Sequence, residues 1–82
     1  MVLYFAWVKE KVGLSEETVT PPGDVKTVAD LIEWLAKRSP GHGEAFADLR
    51  LVKAAVDQVH APYGTSIIGA REVAFFPPVT GG

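Results

Sequence analysis

The chain has 82 residues, 48% of them hydrophobic, and a formal net charge of -2; this describes one small domain that needs most of its apolar residues for a core, and it excludes a disordered polypeptide. The charge balance, with no clustered basic face, excludes a nucleic-acid footprint, and no apolar run approaches the roughly 18 residues of a membrane span. The sequence has no cysteine, which excludes disulfides, cysteine-based metal sites and thiol nucleophiles together and makes a cytoplasmic location the expectation.

Val2 to Val8 is dense in β-branched and aromatic residues and reads as a first strand; it lacks the basic n-region and cleavage site of a signal peptide. Lys9 to Gly13 turns the chain, and Glu16 to Thr20 is a polar, β-branched second strand near an edge, so the two are expected as an amino-terminal hairpin. Pro21-Pro22-Gly23 opens a loop. Thr27 has the character of a helix N-cap, with Asp30 favouring the positive end of the helix dipole. Val28, Leu31, Ile32 and Leu35 follow the spacing of one buried helical face, with Trp34 at its margin. Ser39-Pro40-Gly41 stops this helix.

Glu44 to Leu49 is expected to add one helical turn with Phe46 and Leu49 inward. Leu51 to Gln58 reads as a third strand, buried through Leu51 or Val52 and through Val56. Turns at Ala61-Pro62-Tyr63-Gly64 and around Gly69 precede a last strand from Glu72 to Phe76. The fold class is therefore α+β: a mixed four- or five-stranded sheet with one main helix on one face, the first and last strands parallel at its centre, in the layout of a ubiquitin-like β-grasp. Residues 1–78 are read as this domain and residues 79–82 as a flexible tail.

Conventional catalytic signals are missing. His42 and His60 are too few and too far apart for a zinc site, and each reads as a surface or loop residue; no metal site is expected. Ser15, Ser39 and Ser66 lie in no nucleophile-elbow motif, and Gly-rich phosphate loops are absent. The acids are scattered through polar segments; only Asp57 lies in an apolar stretch, where it reads as a strand-end or turn-facing acid. An autonomous catalyst is not expected.

The group with a structural reason to be noticed is the carboxyl end. An apolar strand through Phe75 and Phe76 runs into Pro77-Pro78, then Val79, Thr80, Gly81 and Gly82. The prolines stiffen the exit, and the glycines leave a terminal carboxylate on a thread without side chains. Val79 to Gly82 spans about 13–14 Å when extended, enough to place that carboxylate in a partner's narrow pocket. A carboxylate is inert as an acyl donor, because oxide would have to leave. As an acyl adenylate, with AMP as leaving group, it opens to a sulfur nucleophile. The chain has neither an ATP site nor a thiol, so no cofactor is expected to bind and both ATP and sulfur must be handled by partners.

Glu72-Val73-Ala74-Phe75-Phe76-Pro77-Pro78-Val79-Thr80-Gly81-Gly82 resembles the carboxyl-terminal signature of the small, sulfur-carrier subunits of molybdopterin synthase. The likeness extends more weakly through Ala55-Val56-Asp57-Gln58 and Leu3-Tyr4-Phe5-Ala6. It implies that Gly82 is adenylated by an enzyme of the ubiquitin-activating class and converted to a thiocarboxylate with sulfur from a donor such as a desulfurase or a rhodanese-type protein. The tail, with Thr80 and Gly81 threading, then enters the large subunit of a heterotetramer. There sulfur passes to cyclic pyranopterin monophosphate, and two transfers give the dithiolene of molybdopterin. By the same resemblance Phe75 or Phe76, with Pro77, Pro78 and Val79, contacts partners. Neither nucleic acid nor membrane is expected among them. Two departures stand out: Ile68-Gly69-Ala70-Arg71 where the family commonly has an acidic turn, and Asp57 where it usually has Asn. The alternatives are a carrier for thiamine-thiazole synthesis or tRNA thiolation, a ubiquitin-like modifier, and a β-grasp adaptor whose tail is irrelevant.

Overall fold

The computed structural model describes residues 1–78. Five short strands form one mixed sheet: β1 (Val2–Tyr4), β2 (Glu16–Glu17), β3 (Lys53–Val56), β4 (Val59–His60) and β5 (Val73–Phe76), in the order β2-β1-β5-β3-β4. The expected parallel centre is present, with Val2 opposite Val73, Leu3 opposite Ala74 and Tyr4 opposite Phe75. The antiparallel ladder with β3 holds the other side of β5, which is therefore the central strand. Helices α1 (Ala6–Val12), α2 (Val28–Ala36) and α3 (Pro40–Ala45) cover one face. Tyr4, Phe75, Leu31, Leu35, Val8 and Phe46 meet between helices and sheet to form the core.

The main helix forms as its sequence dictates. Thr27 Oγ1 accepts from the Asp30 N–H at 3.1 Å, and Asp30 Oδ2 accepts from the Thr27 N–H at 3.2 Å, a reciprocal capping box. Val28, Leu31, Ile32 and Leu35 are all buried, as their spacing requires.

The first strand is shorter than expected. The chain leaves it at Phe5, Ala6 takes φ of 52°, and α1 begins. Val8 is buried and Val12, four residues on, packs against the core, while Lys9, Glu10 and Lys11 face solvent. A helical period was thus hidden in a run whose β-branched and aromatic residues favoured strand. Gly13, at φ of 89°, ends α1 by donating its N–H to the Lys9 carbonyl. The first two strands are antiparallel neighbours, but a helix joins them instead of a hairpin turn.

Ser39-Pro40 ends one helix and starts the next, for Ser39 caps α3 and Pro40 occupies its first turn. The extra helical turn expected over Glu44–Leu49 therefore lies earlier. Phe46 is buried as expected, but Leu49 is 41% exposed and begins a 3-10 turn, Leu49–Leu51. Gly41 lets α3 approach α1: a Cβ there would collide with the Lys11 carbonyl oxygen. The expected third strand is really a strand, a tight turn and a fourth strand. Asp57 and Gln58 both take positive φ, 48° and 71°, as the two central residues of a hairpin turn. Val52 faces the core and Leu51 faces out. Among the described residues, no helix is long and apolar enough to cross a membrane.

Candidate functional site

Alternation along β5 sends Val73 and Phe75 into the core and Ala74 and Phe76 to the uncovered face. Phe75 is 0% exposed; its ring lies edge-on to Phe46 at 5.0 Å and stacks on Tyr4 at 6.3 Å. It has no surface to offer a partner, so of the two phenylalanines only Phe76 can make contact. Phe76, Pro77 and Pro78 are partly buried and carry the central strand to the end of the described residues. Val79, Thr80, Gly81 and Gly82 lie outside those residues.

The uncovered face beside Phe76 is apolar. Leu3, Phe5, Ala55, Ala74 and Phe76 line an open depression of about 340 Å³, with Gln58, His60 and Glu72 at its margin. Phe5 is 49% exposed because the left-handed turn at Ala6 takes the helix away from the sheet and leaves Phe5 behind. The His60 ring lies edge-on to Phe76 at 5.2 Å, and the Gln58 amide donates to Glu72 Oε1 at 3.3 Å. Asp57 faces the turn as expected, and its Oδ1 accepts the N–H groups of Arg71 and Glu72 at 2.8 and 2.9 Å. This ties the β3–β4 turn to the entry of β5. Neither Phe5 nor His60 was singled out as a site residue from the sequence; alternation from Leu3 to Phe5 was the available signal, and the strand expected to continue through Val8 obscured it.

The covered face holds the second polar constellation. Glu17, largely buried, accepts from the Tyr4 hydroxyl and from His42 Nε2, each at 2.6 Å, and pairs with Arg38 at 3.3 Å. An ionised carboxylate only accepts, so Nε2 carries the proton of that bond. His42 Nδ1 lies 2.7 Å from Ser39 Oγ, which also accepts the His42 backbone N–H. The surface or loop position expected for His42 is thus corrected: the side chain is buried, the whole residue only 5% exposed. Burial pushes the Glu17 carboxyl up, but the hydrogen bonds from Tyr4 and His42 and the nearby charges outweigh it, leaving the carboxyl below its ordinary range. Burial and the Glu17 carboxylate both drive the Tyr4 phenol far above its usual value, so Tyr4 remains a donor.

Ser39, His42 and Glu17 form a serine–histidine–acid chain that linear spacing conceals. Its serine is occupied as the cap of α3, accepting the His42 N–H, so the chain reads as a structural clasp between β2 and α3. Among the described residues, no group of three or more His, Cys, Asp or Glu side chains could hold a metal ion.

A protein-family model described as the ThiS family matches residues 2–82. The chain belongs to the ThiS family. This ThiS-family chain is 41% identical, over 81 residues, to an Escherichia coli (strain K12) protein named molybdopterin synthase sulfur carrier subunit; the match covers 99% of this chain and 96% of the relative. A Mycosarcoma maydis protein of the same name is 35% identical over 85 residues, covering 99% and 90%. Among solved structures, SAMP1 from Haloferax volcanii superposes with a TM-score of 0.74 at 27% identity, covering 99% of this chain and 96% of that one. The sequence matches bear out the resemblance carried by the last eleven residues, and the solved neighbour bears out the ubiquitin-like β-grasp of the described residues.

Proposed function

We propose that this chain is the sulfur carrier subunit of a cytoplasmic molybdopterin synthase and that Gly82 is its working group. The observation that carries the reading is the likeness to proteins named molybdopterin synthase sulfur carrier subunit over 99% of this chain, within a family match that extends to Gly82. In support, the tail issues from β5, the strand held on both sides, so the stalk starts from a firmly anchored point.

The chemistry divides between the tail and its partners. An adenylating enzyme of the ubiquitin-activating class joins the terminal carboxylate to the α-phosphate of ATP and releases pyrophosphate. The terminal sulfur of a persulfide on a desulfurase or rhodanese-type donor then attacks the acyl carbon and displaces AMP. A thiol reduces the resulting acyl disulfide, leaving the thiocarboxylate and a disulfide as the oxidised product. The large subunit of the synthase receives that tail and directs the sulfur to cyclic pyranopterin monophosphate. The chain supplies reach, a narrow profile and a rigid base; it binds no cofactor of its own.

Intact-mass measurement tests this reading. After incubation with ATP, a sulfide source and the adenylating enzyme, the chain should gain the mass of one oxygen replaced by sulfur. Deleting Gly81 and Gly82 should abolish the gain and leave the unfolding midpoint unchanged. An unchanged mass, under conditions that sulfurate an E. coli carrier, would point to an adaptor instead; sulfuration without pyranopterin turnover would point to another pathway.

A further inference from the structure

Gly82 lies four residues beyond Pro78, so on the carrier reading a pocket that accepts it opens within about 13–14 Å of Pro78. Phe76, two residues before Pro78, belongs to the uncovered sheet face. A protein that takes the tail is therefore brought beside this end of that face. Its apolar centre, Leu3, Phe5, Ala74 and Phe76, meets a partner of similar polarity.

The rim is not symmetric. The β3 ladder puts Lys53 directly opposite Phe76, and alternation places it on the same face, since Ala54 points into the core. His60 pairs with Ala55 on the neighbouring edge strand and rests on the Phe76 ring. Two nitrogen-bearing side chains thus flank Phe76 at the base of the tail. Among the described residues neither forms an ion pair; the same holds for Lys9, Lys26, Lys37 and Arg71, so what marks Lys53 and His60 is their place beside Phe76. The acids of this face lie elsewhere: Glu16 opposite Leu3 at the far edge, and Glu72 at the other end of β5, holding the Gln58 amide.

We propose that the protein that receives the tail carries a carboxylate positioned to meet Lys53 and His60, so that these two residues set its register on the apolar face. This rests on the reading of the chain as a carrier. A rim charge acts chiefly on association rate and salt dependence, while the apolar centre resists dissociation.

The test is calorimetric binding of the full chain to the large subunit of molybdopterin synthase at about 0.05 M and about 0.5 M salt, a range over which screening of exposed charges changes strongly. Lys53→Glu should weaken binding about 3- to 10-fold at low salt, with most of the loss gone at high salt. His60→Ala should weaken it by about 2- to 3-fold. Phe76→Ala should weaken binding equally at both salts, and Lys37→Glu, on the helical layer, should change nothing. Thermal unfolding of each variant separates lost docking from lost folding. The proposal is overturned if Lys53→Glu behaves like Lys37→Glu, if its deficit persists at high salt, or if no complex forms. Sulfur uptake at Gly82, read by mass, decides the carrier reading independently.

Discussion

The two faces of the sheet use the same residue types to opposite ends. On the covered face Phe75 is wedged between Tyr4 and Phe46, and His42 is locked to Glu17 and Ser39. On the uncovered face Phe76 and His60 touch each other and have nothing above them. One position along a strand separates core from contact surface, because successive side chains point to opposite sides. The covered face has its polar groups matched within the chain, whereas on the open face Lys53 and His60 form no ion pair among the described residues.

Three substitutions would sharpen or break this contrast. Phe75→Ala should cost about 3–5 kcal/mol in chemical denaturation, the toll of an aromatic removed from a packed core, and Phe76→Ala should cost less than about 1 kcal/mol. Equal costs would erase the distinction between the faces. Tyr4→Phe keeps the ring but removes a donor to a buried carboxylate, so unfolding free energy should fall by about 1.5–3 kcal/mol.

The same cluster gives the fold an acid limb. The Glu17 carboxyl lies below its ordinary value in the folded state, so its contribution is complete above the ordinary carboxylate range and is lost as pH falls through the folded value. Unfolding midpoints of Glu17→Gln should therefore depend less on pH in that acidic window than those of the unaltered chain; identical slopes would remove Glu17 from the account. Gly41→Ala should destabilise by about 1–3 kcal/mol, because α3 must retreat from the Lys11 carbonyl. Least of all, Ala6→Gly should stabilise by about 0.5 kcal/mol, as relief of the left-handed backbone slightly exceeds the entropy glycine adds to the unfolded chain. A loss of stability there would mean that Ala6 is unstrained.

Much of the candidate site was legible because it is written locally. The Phe-Phe-Pro-Pro run and the diglycine lie within eight consecutive residues, and that pattern needs no folded context to be noticed. Alternation also required that one of Phe75 and Phe76 be core, but choosing between them needed the register with Tyr4 and Ala54. Phe5 was harder. The first seven apolar residues suit a strand, and only the tertiary burial of Val8 and packing of Val12 show that a helix starts after Phe5. His42 was misjudged for a related reason: its partners Glu17 and Tyr4 lie 25 and 38 positions away and converge only when β1, β2 and α3 meet.

The sequence by itself determined the main helix, through the Thr27–Asp30 box and a single apolar stripe; the parallel pairing of its two most apolar strands; and the Phe-Phe-Pro-Pro-Val-Thr-Gly-Gly run that carries the family resemblance. These rest on short-range patterns, in which spacing and residue type act within one or two turns of chain. Tertiary structure decided which phenylalanine is buried, where the first strand yields to a helix, and how Glu17, His42, Tyr4, Ser39 and Arg38 come together. It also put Lys53 and His60 beside Phe76. Those outcomes depend on which distant segments compete for the same core space and hydrogen bonds, and that competition is settled only when the sheet closes.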